Sequence, residues 1–195
     1  KQGCYLCLDE SFALGTVGPR GAGIFDFSPL GPKPLCQYGD LSLGIGCYGA
    51  FIAGEKSLTA HISHRSRTLG SEIALPQHLA AGIEKSINLV ESRMLEREKM
   101  RILASRLKKG LFSMGYASGE AASPLVCVSF PKLSVGREIA EALIQKGFFA
   151  EVVPSATFLK DQAVLRFILN TAHTEQQIDS LLEALSEIRQ HIESL

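Results

Sequence analysis

The spacing of hydrophobic positions changes twice along the chain, and each change predicts a different kind of structure. Residues 1–75 contain short apolar runs interrupted by glycine and proline, a pattern typical of strands and loops. In residues 76–117 apolar side chains recur at steps of three and four among Glu, Lys and Arg, which predicts one long or two shorter amphipathic helices. In residues 118–195 strand-like and helix-like segments alternate. We therefore expect three regions with these limits.

The last region predicts a small α+β domain. Its strand candidates are rich in β-branched and aromatic residues, in the segments PLVCVSF, FFAEVVP and AVLRFILN. Between the first two, Ser134 is expected to cap a helix that ends at Gly147. Thr174 and Gln177 form the T-x-x-Q pattern of a capping box and predict a closing helix.

Composition and charge exclude two classes of partner. The 195 residues include 20 basic and 20 acidic side chains, so the formal net charge is zero and no basic run could follow a nucleic acid backbone. No apolar run approaches the roughly 20 residues that span a bilayer, so we expect no membrane segment. The first residues lack the layout of a secretory signal, and the expected location is cytoplasmic.

Five cysteines raise the question of metal or redox chemistry. Cys4 and Cys7 form a C-x-x-C pair within an apolar run that predicts a buried strand. Residues three apart in a strand point to opposite faces, and no second cysteine pair or histidine pair follows at ligand spacing. We therefore expect reduced thiols packed in the core and no metal site.

A glycine motif near the middle of the first region resembles a nucleotide-binding loop. Gly44, Gly46 and Gly49 spell G-x-G-x-x-G. That fingerprint requires a strand-to-helix turn, so that the phosphates meet the amino terminus of a helix. The residues that follow, AFIAG, predict a strand instead. We therefore do not expect a nucleotide loop here.

Four segments carry a more specific signal: LDESFALGTVGPRGAG, GIGCYGAFIAG, HRSRTLGSEIALP and VLRFILNTAHT. In this order they resemble motifs of the α-oxoamine synthase family, pyridoxal-phosphate enzymes of the aspartate aminotransferase fold such as 8-amino-7-oxononanoate synthase, 2-amino-3-ketobutyrate ligase and serine palmitoyltransferase. The resemblance covers the C-terminal half of a complete member. It implies an α/β fold, with part of the large-domain sheet of a pyridoxal-phosphate-dependent transferase followed by a small α+β C-terminal domain.

The resemblance also implies which residues would form the catalytic site. Asp9 matches the aspartate that pairs with the pyridine nitrogen of the cofactor. Phe12 stands at the position of a histidine, and a phenyl ring has no hydrogen to donate. The Schiff-base lysine falls on Leu43, or on Ser42 if the register shifts by one residue, and neither side chain has an amine.

The residues expected to hold phosphate differ from the family pattern as well. Asp40 replaces the hydroxyl residue three positions before the lysine, and Glu72 and Ile73 replace a Ser-Thr pair. Carboxylates at these positions oppose the binding of a phosphate dianion. The nearest lysines in sequence, Lys33 and Lys56, are expected to lie away from the site.

One substrate-binding residue has two interpretations. Arg166 matches the second arginine of an R-x-R pair that binds the substrate carboxylate, while Val164 stands at the first. Arg166 could equally be a surface charge or pair with a nearby acid. His173 is expected to be a structural residue before the last helix, and His61 and His64 to lie on a solvated helix face.

These matches and losses lead to one hypothesis and two alternatives. The hypothesis is a degenerate, non-catalytic homologue of acyl-CoA:amino-acid C-acyltransferases that does not bind pyridoxal phosphate and forms a homodimer or a heterodimer with a paralogous subunit. The first alternative is an active transferase completed by a missing N-terminal part or by a partner subunit. The second is a small-molecule-binding module that reuses the cleft around Asp9 and Arg166.

Overall fold

The computed structural model describes residues 4–27, 34–66, 75–119, 123–154 and 162–193. The chain divides into two compact units, Lys1–Arg97 and Glu98–Leu195, and the division falls inside a helix. The limits 1–75, 76–117 and 118–195 stay a prediction. Within the described ranges, no helix is both long and apolar enough to cross a membrane.

The first unit is built on a three-stranded sheet in which the strands follow their order along the chain. Strand β1 (Cys7–Asp9) is followed by the one-turn helix α1 (Ile24–Phe27), β2 (Cys36–Asp40) and β3 (Ala50–Gly54). β1 and β2 are parallel, whereas β2 and β3 are antiparallel. The strand predicted at AFIAG is confirmed. Helix α2 (Lys56–Arg65) begins only after it, so the glycine motif joins two antiparallel strands and does not lead into a helix.

The glycine-rich segment between β1 and α1 folds back on itself as a compact loop. The Gly15 amide donates to the Gly21 carbonyl at 2.7 Å, and Leu14 and Ala22 form an antiparallel bridge. Gly15 has a φ of +84°, and a Cβ built on it would lie 2.5 Å from the Gly44 carbonyl oxygen. Glycine is needed here both for the left-handed backbone and for the close approach of two loops.

The helical region that follows is divided into two helices. α3 (Gln77–Ser92) and α4 (Met94–Ser113) are separated by Arg93, whose φ of −95° and ψ of 50° interrupt the helical backbone. Gly115 was predicted to end this helical region. It follows the end of α4 and has a φ of +84°, as expected of a glycine that ends a helix.

The second unit has its own antiparallel sheet. β4 (Leu125–Phe130), α5 (Leu133–Gln145), β5 (Glu151–Pro154), β6 (Ala163–Ile168) and α6 (Glu175–Glu193) follow in this order, and β6 lies between β4 and β5. All three predicted strands and both predicted helices are therefore confirmed. The sheet and its helices form the α+β arrangement that the segment pattern predicted.

The two predicted helix caps had different outcomes. The Thr174 amide donates to Gln177 Oε1 at 3.0 Å, and the Gln177 amide donates to Thr174 Oγ1 at 3.2 Å, so the capping box is confirmed. The prediction that Ser134 caps α5 is wrong. Lys132 is the last residue with extended backbone before α5, which places Ser134 in the first helical turn.

The core of the second unit forms because the apolar faces of its strands and helices pack against each other. Alternate residues of β4 and β6 are buried, and α4, α5 and α6 each contribute an apolar stripe. Its most completely buried apolar side chains are Leu103, Leu107, Leu111, Val126, Leu143 and Leu165. This unit therefore encloses a continuous hydrophobic core.

Candidate functional site

The carboxyl ends of β1 and β2 bring together two acidic residues that the sequence placed in the candidate site. The two strands are parallel, so Asp9 and Asp40 end them at the same edge of the sheet. The Ser11 amide donates to Asp9 Oδ1 at 2.9 Å, and Ser11 Oγ accepts from the Asp40 amide at 3.1 Å. The Ser42 amide donates to Asp40 Oδ1 at 2.5 Å. Ser11 thus connects the Asp9 carboxylate to the Asp40 backbone, and Ser42 holds the Asp40 carboxylate.

Both carboxylates remain charged at neutral pH. Hydrogen bonds from Ser11 hold the pKa of Asp9 below its ordinary value of 3.8. Hydrogen bonds from Ser42 lower the pKa of Asp40 in the same way. Because both side chains are exposed in the described structure, the site presents negative charge at this edge of the sheet.

Leu43 and Phe12, which the resemblance places at the family's lysine and histidine positions, lie close in the chain to the residues of this edge. Leu43 follows Asp40 in the loop that leads to β3, and its side chain is 47% exposed. The loop is closed at its base by a hydrogen bond from the Leu41 amide to the Gly49 carbonyl at 2.9 Å. Phe12 follows Ser11 and is half-buried. These two side chains supply apolar surface and no proton-transfer group.

The nearest described lysine in sequence lies at the other end of the sheet. β3 runs antiparallel to β2, so that Ala50 pairs with Asp40 and Gly54 pairs with Cys36. These two pairs are separated by four residue steps, or about 13 Å of strand. Lys56 lies beyond Gly54, as expected of a lysine outside the site. Lys33, Glu72 and Ile73 lie outside the described residues.

A buried carboxylate beside Asp9 was missed by the sequence reasoning. Glu10 is 1% exposed and accepts hydrogen bonds from the Ile24 amide at 2.8 Å and the Phe25 amide at 3.2 Å. A Cβ on Gly23 would lie 2.5 Å from Glu10 Oε2, so glycine leaves the room that this carboxylate occupies. Glu10 therefore ties the end of β1 to the start of α1 and holds the intervening loop in place. The sequence did contain a signal for this role. Glu10 directly follows Asp9, and successive residues of an extended chain point to opposite faces, so an exposed Asp9 implies a Glu10 that points inward.

A buried arginine fixes the other side of the same loop. Arg97 is 7% exposed, donates to the Pro19 carbonyl at 2.5 Å and also donates to the Val90 carbonyl. It therefore joins the GPRG turn to the end of α3. The sequence offered no signal for this role, because both acceptors are backbone atoms.

Arg166 lies on β6 in the second unit and has an acidic neighbour across the sheet. Its Nη2 donates to Glu151 Oε2 at 2.5 Å, and the two residues are direct partners in the register of β5 and β6. The Arg166 side chain is 25% exposed. Pairing with an acid, one of the two interpretations of the sequence, is therefore observed. Val164 lies two residues earlier on β6 and pairs with Val153.

The histidines occupy the places expected of them. His173 Nδ1 accepts a hydrogen bond from the Asn170 amide at 3.1 Å, which stabilises the turn before α6. His61 and His64 lie on the exposed surface of α2. Among the residues that the structure describes, no group of three His, Cys, Asp or Glu could hold a metal ion.

Comparison with known proteins identifies the family that this chain resembles. The chain matches the aminotransferase class I and II family over residues 1–185. It is 32% identical to 8-amino-7-oxononanoate synthase from Methylococcus capsulatus over 184 residues, covering 94% of this chain and 48% of that protein. It is 29% identical to the enzyme of the same name from Anaeromyxobacter dehalogenans over 188 residues, covering 96% of this chain and 47% of that protein. The chain spans about half the length of the curated relatives it matches.

Solved structures of similar proteins show the same fold. A serine palmitoyltransferase from S. paucimobilis, with a bound PLP–myriocin aldimine, superposes with a TM-score of 0.84 at 23% identity and covers 99% of this chain and 49% of its own. The 8-amino-7-oxononanoate synthase from Francisella tularensis superposes with a TM-score of 0.81 at 19% identity, covering 95% and 55%. The predicted fold class is thus confirmed as the PLP-dependent transferase fold. Since the family match extends over most of its length, the chain belongs to the aminotransferase class I and II family.

Proposed function

We propose that this chain is a non-catalytic homologue of the PLP-dependent enzymes that condense an acyl-CoA with an amino acid. Its role is to support a partner subunit, either a second copy or a paralogous chain. The observation that carries the proposal is Leu43, a half-exposed aliphatic side chain that the sequence resemblance assigns to the position of the Schiff-base lysine. Without an amine at this position, the chain cannot form the covalent link on which this chemistry depends.

The residues around Leu43 fit the cofactor poorly. Asp9 suits a protonated pyridine nitrogen, because its lowered pKa keeps it charged. Asp40, however, presents a second negative charge where the family pattern has a phosphate-binding hydroxyl, and like charges repel. Phe12 provides no donor to the phenolic oxygen. Around Leu43, one favourable residue, Asp9, is therefore set against two unfavourable ones, Asp40 and Phe12.

A second candidate function is an active transferase that a partner completes. Two observations favour it: Asp9 retains its place at the carboxyl end of β1, and the chain spans about half the length of its relatives. In that case a partner subunit or a further segment of the protein would supply the amine. This chain would contribute the carboxylate at Asp9 and the shape of the loop around it.

A reduction experiment separates these functions. The full chain is mixed with pyridoxal phosphate, reduced with borohydride and analysed by peptide mass spectrometry. We expect no stable adduct at the site in the unaltered chain. Lys56 is the only lysine among residues 34–66 and is exposed, so labelling of Lys56 measures the background reaction of surface amines. An adduct on one other lysine, formed with one cofactor per chain at a concentration that leaves Lys56 unlabelled, would overturn the proposal that the site is non-catalytic.

A set of substitutions makes the negative result informative. Leu43→Lys combined with Asp40→Thr restores the amine and the hydroxyl of the family pattern, and we expect it to form the reducible adduct. Leu43→Met with Asp40→Thr is the control, because methionine is a long unbranched side chain without an amine. Ser42→Lys tests the register shifted by one residue. If the restored variant remains unlabelled while folded, Leu43 is not the lysine position and the argument fails.

Thermal unfolding tests the partner role and the binding alternative together. A ligand that binds only the folded state raises the melting temperature. We expect no shift with amino acids or acyl-CoA and a shift when a family partner chain is added. A rise with an amino acid or acyl-CoA alone would favour the small-molecule-binding module and contradict a purely supporting role.

A further inference from the structure

Two cysteines that are far apart in the sequence face each other across the first sheet. The parallel register of β1 and β2 pairs Cys7 directly with Cys36. Directly opposed residues of neighbouring strands project to the same face, and the strands lie about 4.8 Å apart. This separation falls within the range of about 4.4 to 6.8 Å between Cα atoms that disulfides allow. The strands therefore need little movement for the sulfurs to bond.

The two thiols are in contact but differ in exposure. Cys7 is exposed, whereas Cys36 is buried. A hydrogen bond with Cys7 and, after it, desolvation raise the pKa of the Cys36 thiol. Cys7 is thus open to an oxidant, and Cys36 is a second thiol positioned behind it. The expectation from sequence that Cys4 and Cys7 are packed in the core is wrong, because Cys4, before β1, and Cys7, its first residue, are both exposed.

We propose that Cys7 and Cys36 form a redox-sensitive pair that becomes a disulfide when a peroxide oxidises Cys7. The Cys7 sulfur attacks one peroxide oxygen, the O–O bond breaks, and Cys7 becomes a sulfenic acid. Cys36 loses its proton to solvent, its thiolate attacks the Cys7 sulfur, and the S–O bond breaks, so that the leaving hydroxide takes up a proton and becomes water. Two thiols are oxidised, and one hydrogen peroxide is reduced to two molecules of water.

The other described cysteines are less suited to this reaction. Cys47 Sγ donates to Ser86 Oγ at 3.3 Å, and Cys127 belongs to the second unit. Cys4 precedes β1 and has no place in the register with β2. Zinc binding would need further ligands, and no group of three suitable side chains exists among the residues described. The pair is therefore suited to thiol oxidation and not to metal binding.

The disulfide would join the amino-terminal ends of the two strands whose carboxyl ends carry Asp9 and Asp40. Cys7 is two residues before Asp9, and Cys36 begins the strand that ends at Asp40. A covalent bond at this point would fix the register of the strands that position both carboxylates. Cys7 is exposed, and exposed disulfides are readily reduced by thiol exchange. The link would therefore be reversible.

Peptide mapping tests the proposal. The full chain is treated with hydrogen peroxide, remaining thiols are alkylated, and the digest is analysed without reduction. We expect a peptide pair joined through Cys7 and Cys36, lighter by two hydrogen atoms and lost after dithiothreitol. Cys4→Ser is the matched control and should leave this product unchanged. We expect the linked product to form faster as pH rises, since Cys36 reacts as the thiolate.

Variants of each partner distinguish the pair from random oxidation. Cys7→Ser should abolish the linked product, and Cys36→Ser should leave a sulfenic acid on Cys7 that dimedone traps. Cys36→Ala repeats the second test if a buried hydroxyl disturbs folding. A link between Cys4 and Cys7, a product only between two chains, or unchanged alkylation of Cys7 and Cys36 after peroxide would each overturn the proposal.

Discussion

The second unit buries a continuous apolar cluster drawn from α4, α5, α6 and its sheet, whereas the first unit buries little apolar surface. Among the described residues of the first unit, the buried apolar side chains are Ala13, Val17, Pro34, Cys36, Leu41 and Ile45. Helices α2 and α3 contain no buried residue. The order of this unit depends instead on close glycine contacts and on buried polar groups. Glu10 and Arg97 are the clearest cases.

The two units also differ in how many large apolar side chains they expose. The first unit exposes large apolar side chains at many positions, including Tyr5, Leu6, Tyr48, Ile87, Met94 and Leu95. Extensive exposed apolar surface is typical of sites of interaction. The second unit has the features of a domain that folds around its own core. The first leaves more of its large apolar side chains exposed than the second does.

The largest effect is expected from shortening a core leucine of the second unit. Leu143 is fully buried, and Leu143→Ala should reduce the free energy of unfolding by about 2 to 5 kcal/mol. Leu43→Ala is the control in the first unit, where the half-exposed side chain should change stability by about 0.5 kcal/mol or less. Urea unfolding followed by circular dichroism measures both. Equal losses for the two variants would show that Leu43 is part of a core. That result would contradict the contrast between the two units.

A smaller effect is expected from the glycine contacts of the first unit. Gly15→Ala and Gly46→Ala both place a Cβ on left-handed backbone, which costs about 1 to 2 kcal/mol. Only Gly15 adds a clash, because its Cβ would meet the Gly44 carbonyl oxygen at 2.5 Å whereas nothing lies within 4 Å of a Cβ on Gly46. Hydrogen exchange in β1 and β2 should therefore accelerate more in Gly15→Ala. Similar exchange in both variants would show that the loop contact contributes no stability.

The smallest effect on stability is expected when the pH is lowered below the pKa values of Asp9 and Asp40. Hydrogen bonds lower the pKa of Asp9 and of Asp40 below 3.8, so each folded carboxyl group binds a proton less readily than it does in the unfolded chain. This stabilisation is present above the unfolded pKa near 3.8 and is lost as pH falls through the folded value. Exchange protection of β2 should therefore decrease below about pH 4. The double variant Asp9→Asn, Asp40→Asn should weaken this dependence, and an unchanged acid response would assign it to other carboxylates such as Asp179.

Much of the local structure could be predicted because it depends on neighbouring residues. The apolar periods of two and near four located the strands and helices of the second unit, and the T-x-x-Q pattern located a cap that Thr174 and Gln177 form. Ser134 was misplaced because several residues near Pro131 can end an extended segment, and backbone geometry placed Lys132 there. Boundaries therefore followed less reliably than the elements themselves.

By itself, the sequence determined the alternation of strands and helices, the glycine positions of the first unit and the absence of an amine at Leu43. Only the tertiary structure decided that Asp9 and Asp40 share one edge, that Cys7 faces Cys36, and that Glu10 and Arg97 hold the same loop. The physical reason is that periodicity arises from adjacent residues, whereas strand register and buried hydrogen bonds join residues that the chain brings together only when it folds.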